Sequence, residues 1–284
     1  MEEEKDLKAG YLGVPGSYSE TALQRESQGM DDVEAIGYTN FPSLIDDLAD
    51  KKISMAVIPV ENSTTGFIAR SADYFRHKPI VAVADRYETV QHTLLGMPGS
   101  KLEDITNVYS HPEALSQCDT FFEKHPNLEA KAYSDTARAA EFIKNSKSLT
   151  QAAISSPRAG ELYGLQALER DIQTEKSNMT RFYVMKHEDD VTLKGSHLAL
   201  YVEIRHEPSS LSKLLQAFGL LQINLLSLNA RPIPGKPFAY GFYIEIDMTL
   251  MTVEFDILWA LLEQASEYLQ ILGQFNRKKT NPSH

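Results

Sequence analysis

Through residues 9–185, short apolar runs alternate with clusters of Ser, Thr, Asn, Gly and Pro, and the clusters open onto helical periodicity. Ala9–Gly13, Ser54–Val60, Ile80–Ala84, Thr106–Tyr109, Gln151–Ile154 and the run through Phe182 to Met185 read as strands. Ser54–Val60 is nearly all apolar, as a strand covered on both faces should be. Helix starts carry their own signals. Ser17 and Glu20 have capping-box spacing, and so do Ser110 and Glu113, ahead of an apolar stripe of Leu115, Cys118 and Phe122. Pro157 stands at a first helical turn, and that helix stops at Gly164. Strand, polar cap and helix in repeated succession predict a doubly wound α/β region, whose ligands sit beyond the carboxyl ends of the strands.

The rhythm changes after Met185. Residues 187–196 are charged and aperiodic and read as a linker. Then come a strand (His197–Ile204), a helix (Ser209–Leu221) and a strand (Ile223–Arg231). An alternating strand (Phe238–Met248), a helix around Trp259 (Val253–Ala265) and a last strand (Leu269–Phe275) complete the series. That β-α-β-β-α-β order is ferredoxin-like. The expected domains are 8–186 and 197–277, with the tail from Lys278 disordered.

Composition narrows the partners. A formal charge of −11 on 284 residues argues against nucleic acid or an anionic membrane surface. An anionic ligand must therefore be drawn in by local donors against the global field. No apolar run approaches a membrane span. The single cysteine, Cys118, reads as a small buried hydrophobe and fits a reducing compartment. Met1–Asp6 is acidic where a signal peptide would be basic and then apolar, so a cytoplasmic protein is expected. The histidines show no ligand spacing with Cys or paired carboxylates, so the sequence offers no metal site.

Candidate chemistry lies in the polar caps. Val14–Ser19 is a Gly, Pro and Ser turn that aims helix amides at whatever sits there. Glu61–Gly66 supplies more polar groups in a row than a turn requires, and Ser110 and Gln117 are placed to face a ligand together. Thr180–Arg181 sets a hydroxyl beside a guanidinium, which suits a small anion, although a solvated arginine at an ordinary strand start would look the same. His92 reads as an ordinary strand histidine.

Several of these stretches, in this order, resemble prephenate dehydratase, an enzyme family of phenylalanine biosynthesis. The resemblance rests on Tyr11–Leu12–Gly13 with Gly16–Ser17–Tyr18–Ser19, on Ile58–Ser63, and on Ser110–His111–Pro112 with Ala114–Leu115 and Gln117–Cys118. It continues through Ala153–Ser156 and Leu162–Leu165 to Thr180–Arg181–Phe182. The unit after the linker resembles the ACT regulatory domain. The resemblance implies a two-lobed catalytic domain like a periplasmic binding protein, with the site in its cleft. It also implies cofactor-free loss of carbon dioxide and hydroxide from prephenate to give phenylpyruvate.

By the same resemblance Thr180 donates to the departing hydroxyl, and Asn62, Ser110 and Gln117 act on substrate as neutral donors. Arg181 holds a carboxylate or braces its strand, and Glu61 is a rival general acid if buried. Ser63, Ser17, His111 and Phe182 complete the expected substrate-binding set. Rival readings are a non-catalytic anion sensor and a decarboxylase that does not aromatise its product; neither needs the Thr180 hydroxyl. Because the Gly13–Gly16 loop lies so near the first residue, no chorismate mutase segment is expected. ACT units bind phenylalanine at a Gly-Ala-Leu turn and a Glu-Ser-Arg-Pro segment, where this chain has Ser209–Ser210–Leu211 and Asn229–Ala230–Arg231–Pro232. Weak or absent regulation by phenylalanine is expected, with another amino acid as possible effector. A homodimer or homotetramer is expected from an uncharged, aromatic strand at Phe238–Tyr243, read as an exposed edge.

Overall fold

A computed structural model describes residues 7–205 and 207–277. The acidic segment before Leu7 and the tail from Lys278 lie outside the described residues. The first strands are β1 (Leu7–Leu12), β2 (Val33–Tyr38), β3 (Met55–Asn62), β4 (Gly66–Phe67), β5 (Ile80–Thr89), β6 (Thr93–Gly96), β7 (Asn107–Ser110) and β8 (Glu129–Ala132). The rest are β9 (Gln151–Ser155), β10 (Gln166–Glu169), β11 (Met179–His187), β12 (His197–Glu203), β13 (Asn224–Pro232), β14 (Tyr240–Asp247) and β15 (Tyr268–Phe275). Helices α1 (Tyr18–Glu26), α2 (Phe41–Ala49), α3 (Ala69–Phe75), α4 (Pro112–Ser116) and α5 (Asp119–Lys124) come first. They are followed by α6 (Thr136–Ser146), α7 (Pro157–Tyr163), α8 (Ser210–Leu220) and α9 (Phe255–Ala265). The architecture is mixed α/β, as the pattern predicts.

The chain divides into two units that interleave along the sequence. One takes the described residues up to Leu44, then Val57–Gly66 and Tyr87–Phe182; the other takes Ile45–Ala56, Phe67–Arg86 and those from Tyr183 on. In the first unit β1 pairs in parallel with β2 over its full length. A second sheet in that unit has the order β10-β6-β9-β7-β8. Successive residues of a strand point to opposite faces, so this sheet feeds two cores. Leu94, Val108, Ala152 and Ile154 pack with Ala114, Cys118 and Phe121 of the α4–α5 region. Leu95 and Ala153 pack with Ala139, Ala140 and Ile143 of α6 and Ala159 of α7. Cys118 is fully buried, and burial pushes its thiol up to about 12, with nearby Asp119 adding to the rise.

The two capping boxes fare differently. Ser17 caps α1 and accepts from Glu20 N–H, while the Glu20 carboxylate accepts from Gly16 N–H at 2.7 Å. The one expected at Ser110 is displaced, because β7 runs through Ser110 and its hydroxyl donates to the Ile154 carbonyl at 2.6 Å. The cap falls on His111, whose Nδ1 accepts from Glu113 N–H at 3.2 Å. The single helix expected beyond it is broken. The Gln117 carbonyl accepts from Thr174 N–H at 2.8 Å, and Cys118 becomes the residue before α5.

In the second unit β13-β14-β12-β15 lie side by side, the ferredoxin-like arrangement, and α8 and α9 cover one face through Leu214, Phe218, Leu258 and Leu262. β14, read from sequence as an edge, is an inner strand; the edge is β13. β15 also pairs in parallel with β5 at Gly273 and Ala82. A Cβ on Gly273 would lie 2.6 Å from the Ala82 carbonyl oxygen, so only glycine permits that approach. Glu188 N–H, in the stretch read as a linker, donates to the Pro79 carbonyl at 2.9 Å.

Candidate active site

The carboxyl end of β3 meets the beginning of β11 within the first unit. Ser63 N–H donates to the Met179 carbonyl and Met179 N–H to Ser63 Oγ, at 2.8 and 2.9 Å, which knits the two strand ends together. Beside that seam, Asn62 is buried. Its Oδ1 accepts from the backbone N–H groups of Thr64 and Thr65, at 3.0 and 3.2 Å. Backbone N–H groups can only donate, so the orientation of this amide is fixed. Its Nδ2 therefore points the other way, to Asn178 Oδ1 at 2.8 Å, the Met179 carbonyl at 3.2 Å and Thr180 Oγ1 at 3.1 Å. An amide nitrogen donates and does not accept. Thr180 is thus engaged as an acceptor on that side, and its own proton is directed elsewhere.

Sequence reading passed over Asn178, which the structure makes central. It is 1% exposed, and its Nδ2 donates to Gln117 Oε1 at 2.9 Å. His92 Nε2 lies 2.9 Å from the same oxygen, while Gln117 Nε2 donates to Glu113 Oε1 at 3.2 Å. His92 is buried, and burial lowers its pKa, partly offset by the bond to Gln117, so the ring is neutral near pH 7. A cavity of about 240 Å³ adjoins the array, lined by Thr64, Gln117, Asp119, Gln173, Thr174 and Asn178 among others.

The other expected residues are distributed around this centre. Arg181 is buried and its Nη1 lies 3.3 Å from Glu61 Oε2, an arrangement that braces β11 against β3. The Glu61 side chain is 47% exposed, so the burial that would make it a rival acid is not met. Ser110, with its proton committed to Ile154, is fully buried and does not share an open face with Gln117. Phe182 is core, His111 an exposed helix cap, and Ser17 a buried one. The loop carrying Ser17 is held by α7: Ser156 Oγ donates to the Gly16 carbonyl at 2.7 Å, and Tyr163 Oη to the Pro15 carbonyl at 3.0 Å. Gly16 has φ +90°, and a Cβ there would sit 3.0 Å from Ala159 Cα. Among the described residues no cluster of His, Cys, Asp and Glu could hold a metal ion.

In the second unit, Ser209, Ser210 and Leu211 line a cavity of about 480 Å³ with Arg205, Glu207 and Tyr240 among its other walls. Ser209 adopts φ +69°, the left-handed conformation that favours glycine. The other expected effector segment lies on β13, outside that lining. Asn229 Nδ2 donates to Ser227 Oγ at 2.8 Å, and Arg231 forks onto Asp73 of α3 at 3.3 and 2.7 Å. Arg76 Nη1 donates to the Pro232 carbonyl at 3.3 Å, and Ala230 is exposed.

Comparison with known proteins agrees with the motifs. The sequence profile of the family described as prephenate dehydratase matches residues 9–190. Arogenate dehydratase 1 of Petunia hybrida is 33% identical over 95% of this chain and 66% of its own length. Arogenate dehydratase/prephenate dehydratase 6, chloroplastic, of Arabidopsis thaliana is 32% identical over 95% of this chain and 69% of its own. The chain thus spans about two thirds of the length of these relatives. Among solved structures, the prephenate dehydratase of Staphylococcus aureus subsp. aureus Mu50 superposes with TM-score 0.80 at 26% identity, covering 95% of this chain and all of its own. The Arthrobacter aurescens prephenate dehydratase, solved in complex with L-Phe, shares the fold with TM-score 0.85 at 24% identity, over 95% of this chain and 90% of its own. A protein described as GqqA, a novel type of quorum quenching acylase, gives 0.84 at 25% identity, over 96% and 98% of the two chains. Motifs, matched region and relatives agree: the chain belongs to the prephenate dehydratase family and is an enzyme of the dehydratase type.

Proposed function

We propose that the chain converts prephenate to phenylpyruvate, with residues 8–186 as the catalytic domain, and that Thr180 donates to the departing hydroxyl. Electrons of the broken carbon–carboxylate bond enter the ring, hydroxide departs with the pair of the carbon–oxygen bond, and carbon dioxide and an aromatic ring result. Aromatisation supplies the driving force, so the protein's task is to hold the diacid and stabilise charge on the leaving oxygen. The observation that carries this reading is the 3.1 Å bond from Asn62 Nδ2 to Thr180 Oγ1, which aims the hydroxyl proton away from the protein amide. Gln117 and Asn62 position substrate from the same array, and Arg181 acts as a brace. Mixing the pure protein with prephenate and following phenylpyruvate absorbance at alkaline pH tests the reading; no absorbance would end it.

The plant relatives are named for arogenate, which differs from prephenate only in bearing an amine where prephenate has its side-chain carbonyl. The device at Thr180 acts on the part both share, so each is assayed separately. An acylase reading gains nothing from Cys118, whose thiol is buried and protonated. With its one cysteine buried, the chain suits a reducing compartment, and we place it in the cytoplasm. Among the described residues no helix is long and apolar enough to cross a membrane.

Residues 197–277 form the regulatory domain in this reading, joined through 187–196. Its response to phenylalanine is weak or absent, and another amino acid is its effector. Three observations support this. A serine side chain occupies the left-handed position at 209, no carboxylate stands at Asn229, and Arg231 is already paired with Asp73. Losing one charged hydrogen bond, worth about 1.5–3 kcal/mol, weakens binding roughly ten- to a hundredfold. Calorimetry at millimolar phenylalanine checks this; saturable micromolar binding with matching inhibition would refute it. Assembly follows from the edge strand β13, which exposes Leu225 and Leu228 and offers unpaired backbone to a second copy. Light scattering should give at least twice the chain mass of 31.9 kDa.

A further inference from the structure

We propose that Asn178 is a positioning residue that transmits a fixed hydrogen-bond polarity from the β3 loop to Gln117 and His92, holding Gln117 with its oxygen inward and His92 as the Nε2–H tautomer. The proposal deepens the role given to Thr180 and rests on that reading for its effect on rate, but its geometry stands alone. Two anchors at opposite ends fix the chain. At one end the Thr64 and Thr65 amides force Asn62 to present Nδ2 to Asn178 Oδ1. Asn178 must then present Nδ2 to Gln117, which receives it on Oε1. At the other end the Glu113 carboxylate, an acceptor only, requires Nε2 of Gln117. The two anchors agree, and the proton between His92 Nε2 and Gln117 Oε1 must come from the imidazole. Among the described residues His92 Nδ1 is buried without a hydrogen-bond partner, so nothing there competes for that proton.

Asn178→Asp is the near-isosteric inversion. One oxygen of the new carboxylate still accepts from Asn62, while the other opposes Gln117 Oε1. Turning the Gln117 amide relieves that clash, but it presents an N–H to His92 Nε2, which must then accept and hold its proton on Nδ1. It also sets Gln117 oxygen against Glu113 and reverses the amide that Gln117 presents to the site. Misplacement on this scale lowers kcat about a hundredfold, with KM changed by less than about threefold. As pH falls and the new carboxyl gains a proton, its O–H donates to Gln117 Oε1 and restores the original polarity. Activity relative to wild type therefore recovers at low pH. The other titratable groups around the cavity are Glu113, His92, Asp119 and Glu175, present in both proteins, so the variant is read against wild type at each pH.

The experiment uses the full chain with ¹⁵N-labelled histidine, whose tautomers differ in their nitrogen shifts. Wild type is expected to show His92 as Nε2–H, Asn178→Asp at a pH well above the carboxylate range to show Nδ1–H, and Asn178→Ala, which leaves Gln117 to the exposed Glu113 contact alone, to show a mixture of the two tautomers. Thermal unfolding confirms that each variant folds. An Nδ1–H wild type, an unchanged tautomer in folded Asn178→Asp, or kcat within threefold of wild type would overturn the proposal. Should wild type convert neither prephenate nor arogenate, the functional reading fails, while the tautomer comparison still decides the role of Asn178.

Discussion

Replacing Thr180 by valine is expected to lower kcat by about a hundred- to a thousandfold, equivalent to roughly 2.7–4 kcal/mol, while KM and the unfolding temperature stay near wild type. Valine preserves the branched shape and removes only the hydroxyl. The fold loses little, because Asn62 Nδ2 retains the Asn178 side chain and the Met179 carbonyl as acceptors. What disappears is the one proton that the Asn62 contact turns away from the protein. The loss belongs in kcat because the leaving oxygen carries charge only as its bond breaks. Steady-state kinetics with prephenate and with arogenate decide the matter; near-normal kcat would take the leaving-group role away from Thr180.

Asn62→Asp is expected to be almost as damaging, by roughly a hundredfold in kcat, for the opposite reason. One carboxylate oxygen still accepts from Thr64 and Thr65, so the turn after β3 survives. The other now faces Asn178 Oδ1, the Met179 carbonyl and Thr180 Oγ1, none of which it can donate to. Thr180 then turns its proton toward the new carboxylate, and a donor aimed at substrate becomes a donor spent within the protein. The variant keeps its hydroxyl and loses its direction. Combining it with Thr180→Val measures this coupling: the double variant should be little worse than either single one, whereas additive losses would show the two side chains acting separately.

Much of this was legible in the sequence because burial writes itself into local pattern. β3 and β12 are covered on both faces and read as apolar runs, and the ferredoxin-like order followed from strand and helix periods alone. β2 went unread because only Val33, Ile36 and Tyr38 escape exposure, so its alternation is faint. The break between α4 and α5 depends on Thr174 reaching the Gln117 carbonyl, a contact no local window contains. Ser110 was placed at a cap when it ends a strand, and its hydroxyl turned out to serve a neighbouring backbone. Asn178 was missed because asparagine after serine resembles an ordinary turn. Its spacing of two from Thr180, the period of one strand face, was the available signal, and only its burial gave that signal meaning.

The array from His92 through Gln117, Asn178 and Asn62 to Thr180 is made wholly of uncharged groups, and Arg181 beside it is cancelled by Glu61. Dipoles held by mutual hydrogen bonds are almost indifferent to ionic strength, whereas a dianion approaching a chain of net charge −11 is not. In the proposed reaction, dissolved salt thus acts on the arrival of substrate and leaves the bond-breaking step alone.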